Sequence, residues 1–192
     1  AVRLPFWDII QQMSAMQVPY DVILSSDGEL FEDNFTPERL RPYKCLVLPD
    51  NHIMTEKQLE AVLHYLNEGG SAVVYGRLAE NLGEAPLRRE VLEHPRTIVS
   101  DPAEQLFGFV NSIRGCLPEG KFQIEVEGTP DIGMNPHRLP DGRTAIHMVN
   151  YGFDRALDRV VPIDRVRFSF RCPEINVKGL KIHTIDDREG QA

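Results

Sequence analysis

Asp27, Asp50, His52 and Arg77 are the residues of this 192-residue chain whose types and positions best suit chemistry. Each follows an apolar run: Ser25-Ser26-Asp27 closes Val18–Leu24, Asp50-Asn51-His52 closes Cys45–Leu48, and Gly76-Arg77 closes Ser71–Tyr75. If those runs are parallel strands of an open sheet, their carboxyl ends converge on one polar crevice, where ligands gather in such sheets. There a neutral imidazole at His52, beside Asp50, would accept a proton or hold a sugar hydroxyl. The competing reading makes the same residues ordinary loop caps and turn formers, because a fold alone confers no function.

Three other groupings invite chemistry. Asp27-Gly28-Glu29 and Glu32-Asp33-Asn34 are acidic enough for a cation loop, but their oxygens do not follow calcium-loop spacing, and an acidic surface loop is the simpler expectation. Asn150 and Tyr151, beyond His147, could bond and stack on a sugar; the alternative uses Asn150 as a turn residue and Tyr151 as a packed core or interdomain plug. Cys45, Cys116 and Cys172 are odd in number and far apart, so neither a disulfide framework nor a metal-binding cysteine pair is signalled. No metal or cofactor is expected.

The elements that must position these residues are legible in the pattern. Cys45–Leu48 is a short apolar run stopped by Pro49-Asp50-Asn51, as suits a strand covered on both faces. Thr55 is placed to cap a helix over Glu56–Asn67, with Gln58 as the reciprocal partner of a capping box and Leu59, Val62, Leu63 and Leu66 as its apolar stripe. Gly69-Gly70 ends that helix and Ser71–Tyr75 supplies a second buried strand, parallel to the first by a right-handed crossover. Upstream, Phe6–Met16 reads as a helix feeding a strand over Val18–Leu24. A doubly wound sheet that opens on a helix leaves one strand position unfilled, so a preceding segment is expected. Phe6 and Trp7 would then pack against a neighbouring domain or subunit.

Between Gly76 and Thr97 the pattern is poor, and irregular chain leading to a short edge strand at Thr97–Val99 is expected. Asp101-Pro102 opens a last helix ending near Gly115. After Pro118 the period changes to two, in Phe122-Ile124-Val126, Ala145-His147-Val149 and Val166-Phe168-Phe170, with Leu139-Pro140-Asp141-Gly142-Arg143 as a hairpin turn. This predicts an α/β domain over residues 1–117 and a small antiparallel β domain over 118–192.

The net charge of -8 argues against nucleic acid as a partner. The absence of a long apolar run argues against membrane insertion, and the sparse cysteines favour a cytoplasmic protein.

The stretches "YDVIL" and "YKCLVLPDNHIMTEKQLEAVLHYLNEGGSAVVYG" resemble the trimerisation domain of family 42 β-galactosidases and related glycoside hydrolases. That domain is similar in fold to flavodoxin and the class I glutamine amidotransferases. "LPDGRTAIHMVNYGFD" and "VRFSFRCP" resemble the small β-sandwich that closes such chains. The resemblance implies a non-catalytic accessory or oligomerisation region whose partners are a catalytic barrel domain and identical subunits. An amidotransferase keeps a nucleophilic Cys where Gly76-Arg77-Leu78 stands here, and pairs it with a His-x-Glu motif that His94-Pro95 and His183-Thr184-Ile185 do not reproduce. The other function class left open is a small-molecule or saccharide-binding domain, or a degenerate amidotransferase-like hydrolase, using the crevice.

Overall fold

The computed structural model describes residues 5–26, 29, 31–100, 106–127, 131–171 and 179–183. It is a mixed α/β structure with one three-stranded parallel sheet, ordered β1-β2-β3, and three two-stranded antiparallel sheets. The parallel sheet consists of β1 (Cys45–Pro49), β2 (Ser71–Tyr75) and β3 (Thr97–Ser100). Its registers run from Cys45 opposite Ser71 and from Ala72 opposite Thr97.

Helix α3 (Glu56–Asn67) makes the crossover from β1 to β2, and its ends are fixed by the residues that predict them. Thr55 accepts a hydrogen bond from the Gln58 amide while the Gln58 side chain accepts from the Thr55 amide, a complete capping box. Gly69 takes φ +98° just beyond the helix, a conformation that glycine adopts without steric cost.

Two apolar clusters sandwich the sheet. Leu46, Leu48, Ala72 and Val74 meet Leu59, Val62 and Leu66 of α3 and Val91 of α4 (Pro86–Glu93) on one face. On the other, Val73 and Tyr75 meet Ile9 and Met13 of α1 (Pro5–Ala15) and Phe109, Val110 and Ile113 of α5 (Leu106–Gly115). All five residues of β2 are buried, as expected of a central strand covered on both sides. A short helix, α2 (Pro37–Leu40), adds Leu40 to the α3 face.

Two expectations are corrected. Residues 18–24 form no strand, because no backbone ladder joins them to another segment among the described residues. The supposedly irregular stretch before Thr97 contains α4, which opens with Pro86 at its first turn. That proline reads as a breaker in the sequence, yet its ring pre-sets φ for the first helical position and its missing N–H would be unbonded there anyway. The beginning of the last helix, from Asp101, lies outside the described residues.

After α5 the antiparallel part begins. Strands β5 (Ile132–Arg138) and β6 (Thr144–Asn150) form the hairpin predicted by Asp141-Gly142, with Gly142 at φ +83° and the Leu139 amide donating to the Arg143 carbonyl. β4 (Ile124–Glu127) pairs with β9 (Arg167–Phe170), and β7 (Phe153–Asp154) with β8 (Arg159–Val160). Its buried cluster is small: Ile124, Ile132 and Met134. Phe122 still packs in the α1/α5 cluster. Among the described residues no helix is long and apolar enough to cross a membrane.

Candidate functional site

The carboxyl edge of the parallel sheet gathers Asp50, His52 and Arg77, three of the four residues singled out for a crevice. Asp27 lies outside the described residues. Asp50 leaves β1 at φ +52°, a left-handed conformation that Asp tolerates better than most residues. Its amide donates to the Tyr75 carbonyl at the end of β2. Arg77, two residues beyond β2, then reaches back as a fork: its Nε and Nη2 donate to the two Asp50 carboxylate oxygens at 2.8 and 2.6 Å, and its amide donates to Oδ1 at 3.1 Å. Hydrogen bonding from the Arg77 side chain holds the Asp50 carboxyl below its ordinary range, and the same pairing raises Arg77.

His52 sits beside this pair. Its Nδ1 is 3.0 Å from the Asp50 carbonyl and 3.9 Å from the Asp50 carboxylate, and its amide donates to the Asp50 carbonyl. Glu80 lies 3.8 Å from the far side of the Arg77 guanidinium. Charge at this edge is therefore largely matched within the protein: a bidentate Arg–carboxylate pair fixes two loops against each other.

Sequence reasoning missed the residue that completes this clasp. The Asn81 side chain accepts from the Met54 amide and donates to the Met54 carbonyl, tying the loop after β1 to the turn after β2. Ala79, at φ +44°, gives its amide to the Asn51 carbonyl in the same seam. Asn81 marks irregular chain in the sequence; its spatial neighbour 27 positions upstream has no local signature. Two buried side-chain atoms at this edge, Asn51 Oδ1 and Ser100 Oγ, have no hydrogen-bond partner among the described residues.

No family model, curated protein or solved structure matches the chain. The arrangement of its own side chains therefore carries whatever functional reading is made.

The other candidates are placed as follows. Asp33 belongs to a structural turn: Gln58 donates to its carboxylate at 2.8 Å, and the amides of Ser26 and Phe35 donate to its other oxygen. Burial opposes its ionisation, but these bonds together hold its carboxyl below the usual range.

Cys45 stands at the entry of β1, the edge away from Asp50, beside Cys116. Hydrogen bonding with Cys116, aided by burial, pushes its thiol far up, so it is protonated and a poor nucleophile. Cys172 lies outside the described residues. A shallow hollow of about 430 Å³ opens at this same entry edge, lined by Arg41, Tyr43, Lys44, Tyr65 and Glu68.

Tyr151 is not a core plug. It is 70% exposed, and its ring lies against Gly133 on the neighbouring strand, where no side chain intervenes. Asn150 uses both ends of its amide locally, donating to the Val161 carbonyl and accepting from the Gly152 amide. Trp7 is 61% exposed and meets Phe6 edge-on.

Proposed function

We propose that this chain is a non-catalytic accessory and oligomerisation region of a multidomain glycoside hydrolase-like, β-galactosidase-like protein of the cytoplasm. In this reading residues 1–117 are a flavodoxin- or amidotransferase-like α/β domain. Residues 118–192 are a small β-sandwich, and the catalytic barrel belongs to a neighbouring domain. Identical subunits and that barrel are the partners.

The observation that carries it is the exposed apolar surface of the β part. Tyr151, Phe153, Leu157, Val160 and Val161 are all more than two-fifths exposed. Phe153 and Val160 face each other across β7 and β8, and Tyr151 lies two residues before Phe153, in the link from β6 to β7. Contiguous apolar surface of this kind favours burial against another protein. An interface of standard size buries about 1,600 Å².

Size-exclusion chromatography with light scattering tests the assembly reading. The chain is expected to self-associate at micromolar concentration, and Tyr151→Ser with Phe153→Ser to shift it towards monomer with unchanged circular dichroism. A strictly monomeric chain whose double variant behaves identically would count against it.

A binding or degenerate hydrolase domain at the carboxyl edge is the second reading. It is favoured by the buried, unbonded Asn51 Oδ1 and Ser100 Oγ, since such atoms cost about 1–3 kcal/mol each unless something satisfies them. Against it stands the engagement of Arg77 by Asp50. A saccharide and acyl-amide panel that gives no binding, or binding indifferent to His52→Ala and Arg77→Ala, would remove its support.

A further inference from the structure

Residues 19–25 alternate as a strand would but have no backbone partner among the described residues. Val18 packs in the cluster on the α1/α5 face and Ile23 against the cluster on the α3 face. This follows the period-two alternation of β1 itself, whose Cys45 and Val47 face the first cluster and Leu46 and Leu48 the second. The direction is also that of β1. Asp21 accepts a hydrogen bond from the Tyr43 hydroxyl at the entry of β1, and five residues later the Ser26 carbonyl accepts one from Gln58, in the first turn of α3 beyond the exit of β1. Side chains make both crossings. Among the described residues no backbone bond joins 19–25 to another segment, and Tyr20, Val22 and Leu24 are 39, 46 and 69% exposed.

The facing edge of β1 is equally unmatched. The Asp50 amide bonds to Tyr75 in β2. By alternation the amides of Leu48 and Leu46 also point towards β2, and those of Cys45 and Val47 point away from it, where no strand lies among the described residues. Pro49, the next outward position, has no amide to satisfy.

Handedness identifies what belongs between them. The crossovers from β1 to β2 and from β2 to β3 run in one direction through α3 and α4, both on the same face. A right-handed crossover running in the opposite direction must use the opposite face. Helix α1 lies there, with α5, and leads into residues 18–26. It is therefore placed as the crossover from a strand beside β1 to the segment beyond it.

We propose that a further strand, parallel to β1 and supplied by the polypeptide leading into α1 from its N-terminal side, seats between β1 and residues 20–25. It would bond to the Cys45 and Val47 amides and complete a five-stranded sheet. This inference does not rest on the glycosidase reading.

Two measurements test it. The reading frame upstream of Ala1 should encode four to six consecutive residues rich in Val, Ile and Leu within about ten positions of Pro5, as loop lengths allow. An initiator codon or a charged stretch in that window overturns the proposal.

Amide exchange should then be compared between the 192-residue chain and one extended by about a dozen of its own upstream residues, enough for such a strand and loop. The extension should slow Cys45 and Val47 at least tenfold, leave Leu46 and Leu48 unchanged, and lose this effect when a proline is placed mid-strand. Equal protection of all four amides in both chains, or slowing that survives the proline, overturns it. Absence of a barrel further upstream would sink the glycosidase reading alone.

Discussion

The two parts of this molecule hold themselves together by different means. The parallel sheet is covered on both faces: all five residues of β2 are buried, and four of them, Ala72, Val73, Val74 and Tyr75, belong to the two clusters. The antiparallel part spreads its strands over three separate ladders around a buried trio, Ile124, Ile132 and Met134. Large apolar residues stand exposed there on β6, β7, β8 and β9. Hydrophobic stabilisation scales with apolar area removed from water, so cooperativity should reside in the first part and depend on contacts in the second. Leu59→Ala, deep in the α3 face and 0% exposed, is expected to cost about 3 kcal/mol, within the usual range for a buried leucine. It should lower the urea midpoint of both parts. Val149→Ala on β6, 47% exposed, should change stability by less than about 0.5 kcal/mol. A comparable loss at both positions would break the contrast.

A sharper comparison uses two glycines in the same predicament. A methyl group on Gly70 would run into the ring of Tyr65, and one on Gly133 into the ring of Tyr151. Tyr65 cannot move aside: it is 3% exposed and its hydroxyl donates to the carbonyls of Tyr43 and Ser71, while burial pushes its pKa up to about 12. Tyr151 is 70% exposed and its ring can swing into water. Gly70→Ala should therefore cost about 2 kcal/mol, as overpacking of a closed site does. Gly133→Ala should cost less than about 0.5 kcal/mol, the scale of a surface change. Thermal melts of the two variants read the difference, and equal shifts would show that the antiparallel part is as closely packed as the sheet.

The same asymmetry governs what is legible in the sequence. Thr55, Gln58 and the Gly69-Gly70 pair signal α3 because caps and stops act within a few residues, and Asp141-Gly142 signals its hairpin for the same reason. Residues 18–24 mislead because a strand pattern states only that both faces meet apolar partners. Whether a ladder forms depends on another segment lying alongside. At the candidate site, Asp50, His52 and Arg77 are brought together as the strand-end rule requires. The bidentate pairing that neutralises Arg77 is invisible, since it depends on the left-handed turn at Asp50 and a partner 27 residues away. Helix α4 is hidden for a local reason: its exposed side is polar and Pro86 resembles a stop until its position in the first turn is known.

The joint between the two parts offers the smallest and most specific test. Glu125 on β4 receives the Arg114 guanidinium of α5 at 2.8 Å and that of Arg171, just after β9, at 3.1 Å. Arg114 also lies 4.4 Å from the centre of the Phe122 ring, and Arg171 donates to the Phe122 carbonyl. Burial disfavours the charged carboxylate, but the two arginines together outweigh it and hold Glu125 below its ordinary value of 4.5. Because the folded value is the lower one, the joint's contribution is fully present above the unfolded value. It is lost as pH falls through the folded value, so the sensitive window lies below pH 4.5. Glu125→Gln, which keeps the shape and removes the charge, should cost about 1 kcal/mol at neutral pH, the upper end for ion pairs that water partly screens. The cost should vanish in acid as the parent carboxylate protonates. Amide exchange at Val126 and Phe168, across the β4–β9 ladder, should accelerate in the variant, whereas exchange at Val73 and Val74 in β2 should not. If the β2 amides accelerate equally, the two parts unfold as one unit, and the parallel sheet owes its stability to the tail as much as the tail does to the sheet.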